Sequence, residues 1–97
     1  MMTKEEILKV ISVVKHPAID YSLVDLGMIQ DNIKVLDSVV KLTFVFPFPN
    51  IPIAGTLINS IAVPLKNIGY DLEYEIVLMT DEEKVKFMRM ETEAWKG

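Results

Sequence analysis

Apolar and polar residues alternate along this chain with two different periods, and the changes of period mark out six elements. Ile7, Val10, Ile11 and Val14 recur at helical spacing, with Leu8 widening the stripe. Thr3-Lys4-Glu5-Glu6 before them fits a capping box, so the pattern predicts a helix over residues 4–15. His16-Pro17 ends it, because the residue before a proline is pushed out of the α region. Residues 17–27 read as a connection in which Gly27 takes a positive φ or allows a close backbone approach. A period of two follows. Ile29, Ile33 and Val35 predict a strand over 28–35, broken in pattern by Asp31. Val40, Leu42, Phe44 and Phe46 predict a second strand over 39–46. The short Leu36-Asp37-Ser38 gap makes these two an antiparallel hairpin.

The helical period returns with Ala54, Leu57, Ile58, Ile61, Leu65 and Ile68. Asn50 is the expected N-cap and Pro52 suits the first turn, where its missing N–H costs nothing. Pro64 should kink or weaken the last turn, and Gly69 should close the helix. Leu72, Tyr74, Ile76 and Leu78 then alternate with Glu73, Glu75 and Val77, which predicts a third strand over 71–79 with one buried face. Thr80-Asp81-Glu82-Glu83 is a second capping box. It opens a last helix to about residue 95, with Val85, Met88, Thr92 and Trp95 on its packed side and Phe87, Glu91 and Ala94 beside them. The order α-β-β-α-β-α predicts an α+β single domain over 1–97, with a three-stranded mixed sheet packed with helices.

Composition narrows the function. About half of the 97 residues are apolar, which fills one core and leaves apolar surface for self-association or a protein partner. A net charge of −4 without basic runs argues against a nucleic-acid backbone as ligand. The absence of cysteine excludes disulfides, thiolate catalysis and cysteine-held zinc or iron–sulfur clusters on these residues. The first residues do not resemble a signal peptide, and no apolar run approaches the roughly 20 residues that span a bilayer. The expectation is a soluble cytoplasmic protein with no membrane or nucleic-acid partner.

The stretch Phe46-Pro47-Phe48-Pro49-Asn50-Ile51-Pro52-Ile53 joins the second strand to the second helix. Such turns commonly hold anions, metals or reactive side chains at a helix start. This one is apolar. Phe48 and Ile51 either form an exposed anchor for a partner or pack beneath the second helix, while Phe46 continues the buried row of its strand. Asp25 could be a ligand or could fix the turn before the first strand. His16, the one histidine, could join Asp20 or Asp25 on a metal, or serve as a helix-end or loop residue. Asp20, Asp25 and Asp31 match no calcium-loop spacing. No catalytic, cofactor-binding or metal-binding residue is therefore assigned, and no cofactor is expected.

One resemblance is specific. Val24-Asp25-Leu26-Gly27-Met28-Ile29 resembles the Val-Asp-Leu-Gly-Leu/Met-Val/Ile core of the SufT/PaaD-like iron–sulfur cluster assembly domain family, also called domain of unknown function fifty-nine. The initial helix, hairpin, turn and third strand fall in similar places, so the likeness spans about residues 5–79. The resemblance implies an iron–sulfur assembly-domain type of fold. It also implies a role in maturing or delivering iron–sulfur clusters, or in assisting a metalloenzyme complex. Asp25 and Gly27 match the family motif. Ile51-Pro52-Ile53-Ala54 falls where the family has Cys-Pro-Leu-Ala, so Ile51 stands for the reactive Cys. His16-Pro17-Ala18 stands for Asp-Pro-Glu, and the family's Trp-Asp-Pro-Pro-Trp-like segment after the third strand is replaced by a charged helix.

The resulting expectation is a non-enzymatic accessory or adaptor for iron–sulfur or metalloenzyme maturation that is not itself a cluster ligand. Its partner-binding or motif residues would be Asp25, Gly27, Phe48, Asn50, Ile51 and Pro52, with a homodimer possible. The alternative is a small-ligand module that holds an anion at the helix start after Asn50 and beside Asp25.

Overall fold

The computed structural model describes residues 2–96. Its elements are α1 (Lys4–Ile11), β1 (Lys34–Leu36), β2 (Val39–Phe46), α2 (Ala54–Asn67), β3 (Asp71–Leu78) and α3 (Asp81–Ala94). The fold is α+β with the order α-β-β-α-β-α, and the sheet runs β1-β2-β3. β1 pairs antiparallel with β2, and β2 pairs parallel with β3 through the α2 crossover. The sheet is therefore mixed.

Both capping boxes form. Thr3 and Thr80 each accept from the third backbone N–H of their helix, and Glu6 and Glu83 reach back to the cap N–H. α1 stops at Ile11, short of residue 15. The apolar pattern continues through Val14, but the backbone there is drawn into other bonds. Leu23 N–H donates to the Val14 carbonyl, and Lys15 bridges Ser22. The first strand is also shorter than its pattern. Met28–Gln30 lies beside β2, with Gln30 N–H donating to Thr43 O and Val45 N–H to Met28 O. The strand is then broken around Asp31 and resumes only at Lys34. Gly27 sits at φ +74 with open space around the position of a Cβ, so the positive φ is what calls for glycine there.

β2 is the middle strand and is buried without a break from Leu42 to Phe46, as expected for a strand covered on both faces. Phe44, Ile7, Ile11, Leu57, Ile61 and Leu65 form the centre of the core. Each fully buried side chain of this size contributes roughly 1.5–3 kcal/mol by leaving water.

Three expectations fail at the edges. Asn50 is not the N-cap of α2: it sits at φ +57 in the preceding turn, and Ile53 occupies the cap with no side-chain bond. Gly69 does close α2 as expected, at φ +88 with its N–H on Lys66 O, and Pro64 lies inside the helix, which continues to Asn67. Leu72, Tyr74, Ile76 and Leu78 are not a buried row. Leu72 is half-buried and packs against the core, while Tyr74, Ile76 and Leu78 are 47–53% exposed. On α3 the buried residue is Phe87, while Val85, Met88 and Trp95 are exposed.

Candidate functional site

The turn between β2 and α2 builds one wall of an apolar cleft of about 370 Å³. Three positive features of the chain shape it. Pro47, Pro49 and Pro52 fix φ at three positions of the turn. Asn50, an amino acid that tolerates the left-handed region, reverses it at φ +57. Ile51 and Ile53 are half-buried against the core, while Phe48 stands out at 47% exposed. The turn thus divides the two residues on which its role depends: Phe48 points outward and Ile51 packs inward in part.

The opposite wall comes from α3. Phe87, Glu91 and Trp95 recur at four-residue spacing and line the cleft together. The C-terminal end of α3 is tied down by backbone bonds. Asp20 N–H donates to Ala94 O at 2.9 Å, and Lys96 N–H donates to Ala18 O at 2.9 Å. Across the near end, the Lys84 ammonium lies 5.1 Å from the centre of the Phe48 ring. A cation over an aromatic face at such a site is worth about 0.5–1 kcal/mol.

The floor includes Met28 and His16. His16 is not at a helix end. It is only 6% exposed, and its Nδ1 accepts the Ala18 N–H at 3.0 Å. Burial, and secondarily the charge of Lys96, push its pKa below the ordinary value. The neutral ring then carries its proton on Nε2, a donor with no protein partner among the described residues.

Of the residues singled out by the sequence, Phe48, Asn50, Ile51 and Pro52 meet in this cleft. Asp25 and Gly27 do not line it; they lie in the turn that delivers Met28 to its floor, where Ser22 Oγ accepts from Asp25 N–H. Asp25 is exposed, and it stands apart from the residues that line this cleft. Asp20 is taken up by Lys15, whose Nζ lies 2.9 Å away and holds the carboxyl below the usual carboxylate range. Among the described residues no three His, Cys, Asp or Glu side chains gather as a metal site. An iron–sulfur cluster as cargo would find one imidazole and one carboxylate in the cleft and no thiolate, a poor donor set for iron–sulfur chemistry. Met28 and Glu91 join the site without having been singled out by the sequence; the 87-91-95 spacing is the signal that places Glu91 with Phe87 and Trp95.

No helix among the described residues is long and apolar enough to cross a membrane. No curated protein matches the chain. The family model described as iron-sulfur cluster assembly protein matches residues 4–69, which takes in the Asp25–Gly27 motif, the hairpin, the apolar turn and α2. That match covers more than half of the 97 residues, and the chain belongs to the iron–sulfur cluster assembly protein family.

Proposed function

We propose that the chain is a non-enzymatic accessory of iron–sulfur cluster or metalloenzyme maturation, working in the cytoplasm, which binds a protein partner through the cleft at the β2–α2 turn. The observation that supports this reading is the pairing of Phe48 and Ile51. Ile51 occupies the position at which the resemblance places a reactive thiol, and it is half-buried in an apolar wall. Phe48, four residues after a buried strand position, is the exposed aromatic beside it. Exposed aromatics next to a desolvated pocket are the residues that anchor protein interfaces. Neither supplies a nucleophile, an acid–base pair or a cluster ligand.

Affinity capture with the wild-type chain from its native host, read by mass spectrometry, is expected to recover iron–sulfur or metalloenzyme maturation proteins. Phe48→Asp should remove them. Recovery unaffected by Phe48→Asp would refute the cleft as the binding surface. Anaerobic reconstitution with iron and sulfide provides the companion test: the expected spectrum has no stoichiometric cluster absorption, and a stable cluster would refute the non-ligand role.

The buried His16 favours a second reading, in which the same cleft takes a small apolar ligand carrying one hydrogen-bond acceptor. A thermal-shift screen separates the two, since a ligand at a hundred times its Kd stabilises by about 2.7 kcal/mol. A hit whose shift disappears in a His16 variant would favour the ligand over the protein partner.

A further inference from the structure

β3 is an open sheet edge, and we propose that it pairs antiparallel with β3 of a second copy of this chain, about a two-fold axis at Ile76. This surface is separate from the cleft and does not rest on the function proposed above.

The edge is free along its length. Asp71 N–H donates to Ser38 O and Met79 N–H to Phe46 O, each at 2.8 Å. In a parallel ladder the N–H and C=O of one residue point to the same side, and those of the next point away. The odd-numbered residues of β3 therefore serve β2. Leu72, Tyr74, Ile76 and Leu78 direct their backbone groups outward, where no backbone partner meets them among the described residues. Edges of this kind are ordinarily blunted by proline, lysine, a bulge or shortness. β3 has no proline, lysine or bulge, and its eight residues pair with β2 in unbroken register; its charges, Asp71, Glu73 and Glu75, belong to the residues whose backbone serves β2.

The side chains on the same residues are apolar and uncovered. Tyr74, Ile76 and Leu78 are 47%, 47% and 53% exposed. Beside them an apolar groove runs between β3 and α2, where Val63 is also exposed.

Charge selects the occupant and its register. An antiparallel partner centred on Glu75 would set Glu75 against its own copy, and one centred on Tyr74 would set Glu73 against Glu75. Like charges directly opposite are destabilising. Centred on Ile76, the same strand is complementary to itself. Ile76 faces Ile76 of the second copy, Tyr74 faces Leu78 and Glu75 faces Val77, so no two carboxylates of the strand oppose; Asp71 comes level only with Asp81, which belongs to α3. All three exposed apolar residues are then matched with one another. The outward-directed backbone groups of Tyr74, Ile76 and Leu78 form the narrow hydrogen-bonded pairs, roughly six bonds in all.

The assembly closes. A two-fold contact uses both β3 edges, and the far edge is β1, only three residues long and preceded by the break near Asp31. A continuous six-stranded sheet results rather than a fibre. A stable interface needs about 800 Å² from each partner, and the total surface here is 5937 Å². A contact confined to one strand edge and its apolar row belongs to the weak class of interface, so the dimer is sought at micromolar concentration and above.

Sedimentation equilibrium of the wild-type chain from about 5 to 500 µM is expected to show the mass rising from 11.0 kDa toward twice that value. Ile76→Lys and Ile76→Glu should each stay monomeric. Their equimolar mixture should regain the dimer at least tenfold more tightly than either alone, because the opposite charges meet at the axis. A measurement without variants reads the same contact: amide exchange at Tyr74, Ile76 and Leu78 should slow as wild-type concentration rises. A wild-type chain that stays monomeric throughout would overturn the proposal, leaving the edge to solvent or to another protein. So would a dimer that survives Ile76→Lys, a mixture that does not associate, or amides whose exchange ignores concentration.

Discussion

Phe44 and Ile76 are partners across the parallel β2–β3 ladder, yet Phe44 is wholly buried and Ile76 is 47% exposed. Two apolar residues on the same face of one sheet thus have different surroundings. The core ends between them. Phe44 packs within the cluster that holds Ile61 and Leu57, while Ile76 is neither in that cluster nor among the residues packed against it.

Truncation should separate them by several kcal/mol. Phe44→Ala is expected to cost about 3–5 kcal/mol, a large part of the stability of a domain this size. Ile76→Ala should cost less than about 1 kcal/mol in the monomer. Urea unfolding at low micromolar concentration measures both, and equal costs would refute the placement of the core boundary.

Gly27→Ala isolates the backbone. No atom stands within 4 Å of the position its Cβ would take, so no clash adds to the φ +74 penalty. The expected loss is about 1–2 kcal/mol, with Gly27→Asn losing less because asparagine tolerates this region. A much larger loss for Ala than for Asn, well past 2 kcal/mol, would show a close approach instead.

The buried His16 sets a pH dependence. Its folded pKa lies below the ordinary value, so the unfolded chain takes up the proton first. Its neutral form is accommodated at full stability above about pH 6.5, and stability falls as pH drops below that toward the lowered folded value. Protonation also turns Nδ1 from an acceptor into a donor facing the Ala18 N–H. Urea midpoints between about pH 8 and 5 should decline for wild type, and less steeply for His16→Asn, whose Oδ1 can accept in place of Nδ1. Identical slopes would contradict the burial of a neutral imidazole.

Thr80→Ala removes the cap of a helix that buries only Phe87. The expected cost is about 1 kcal/mol. Because α3 fully buries one side chain and β2 a continuous run of them, amide exchange should quicken in α3 before it does in β2. Uniform exchange across both elements would indicate that α3 is part of the same cooperative unit as the sheet.

Much of this was legible in residue order. The two Thr-x-x-Glu boxes and the alternation of β2 each depend on neighbours within four positions, and they formed where expected. The alternation of Leu72 to Leu78 marked a strand correctly, but periodicity tells which side chains share a face and not what lies on it. The early end of α1 followed from Leu23 bonding to Val14, a contact nine residues away that outweighed a continuing apolar stripe. Asn50 was read as a cap because its chemistry suits one; the same side chain suits a left-handed turn, and the turn prevailed. The cleft was half legible. Its turn wall is contiguous in sequence, whereas His16 and Trp95 are brought there by long-range backbone pairing, including the Asp20–Ala94 and Lys96–Ala18 bonds.

The central claim is that Phe48 and Ile51 form a contact surface rather than a remnant of a reactive site. Its most direct measurement is the recovery of identified iron–sulfur or metalloenzyme maturation proteins on wild type, Phe48→Asp, Ile51→Asp and, as a control on an exposed residue apart from the cleft, Val13→Asp. Recovery lost at least tenfold with Phe48→Asp and Ile51→Asp, each folded by circular dichroism, and unchanged with Val13→Asp is the expected result. Equal recovery on all four chains would contradict it.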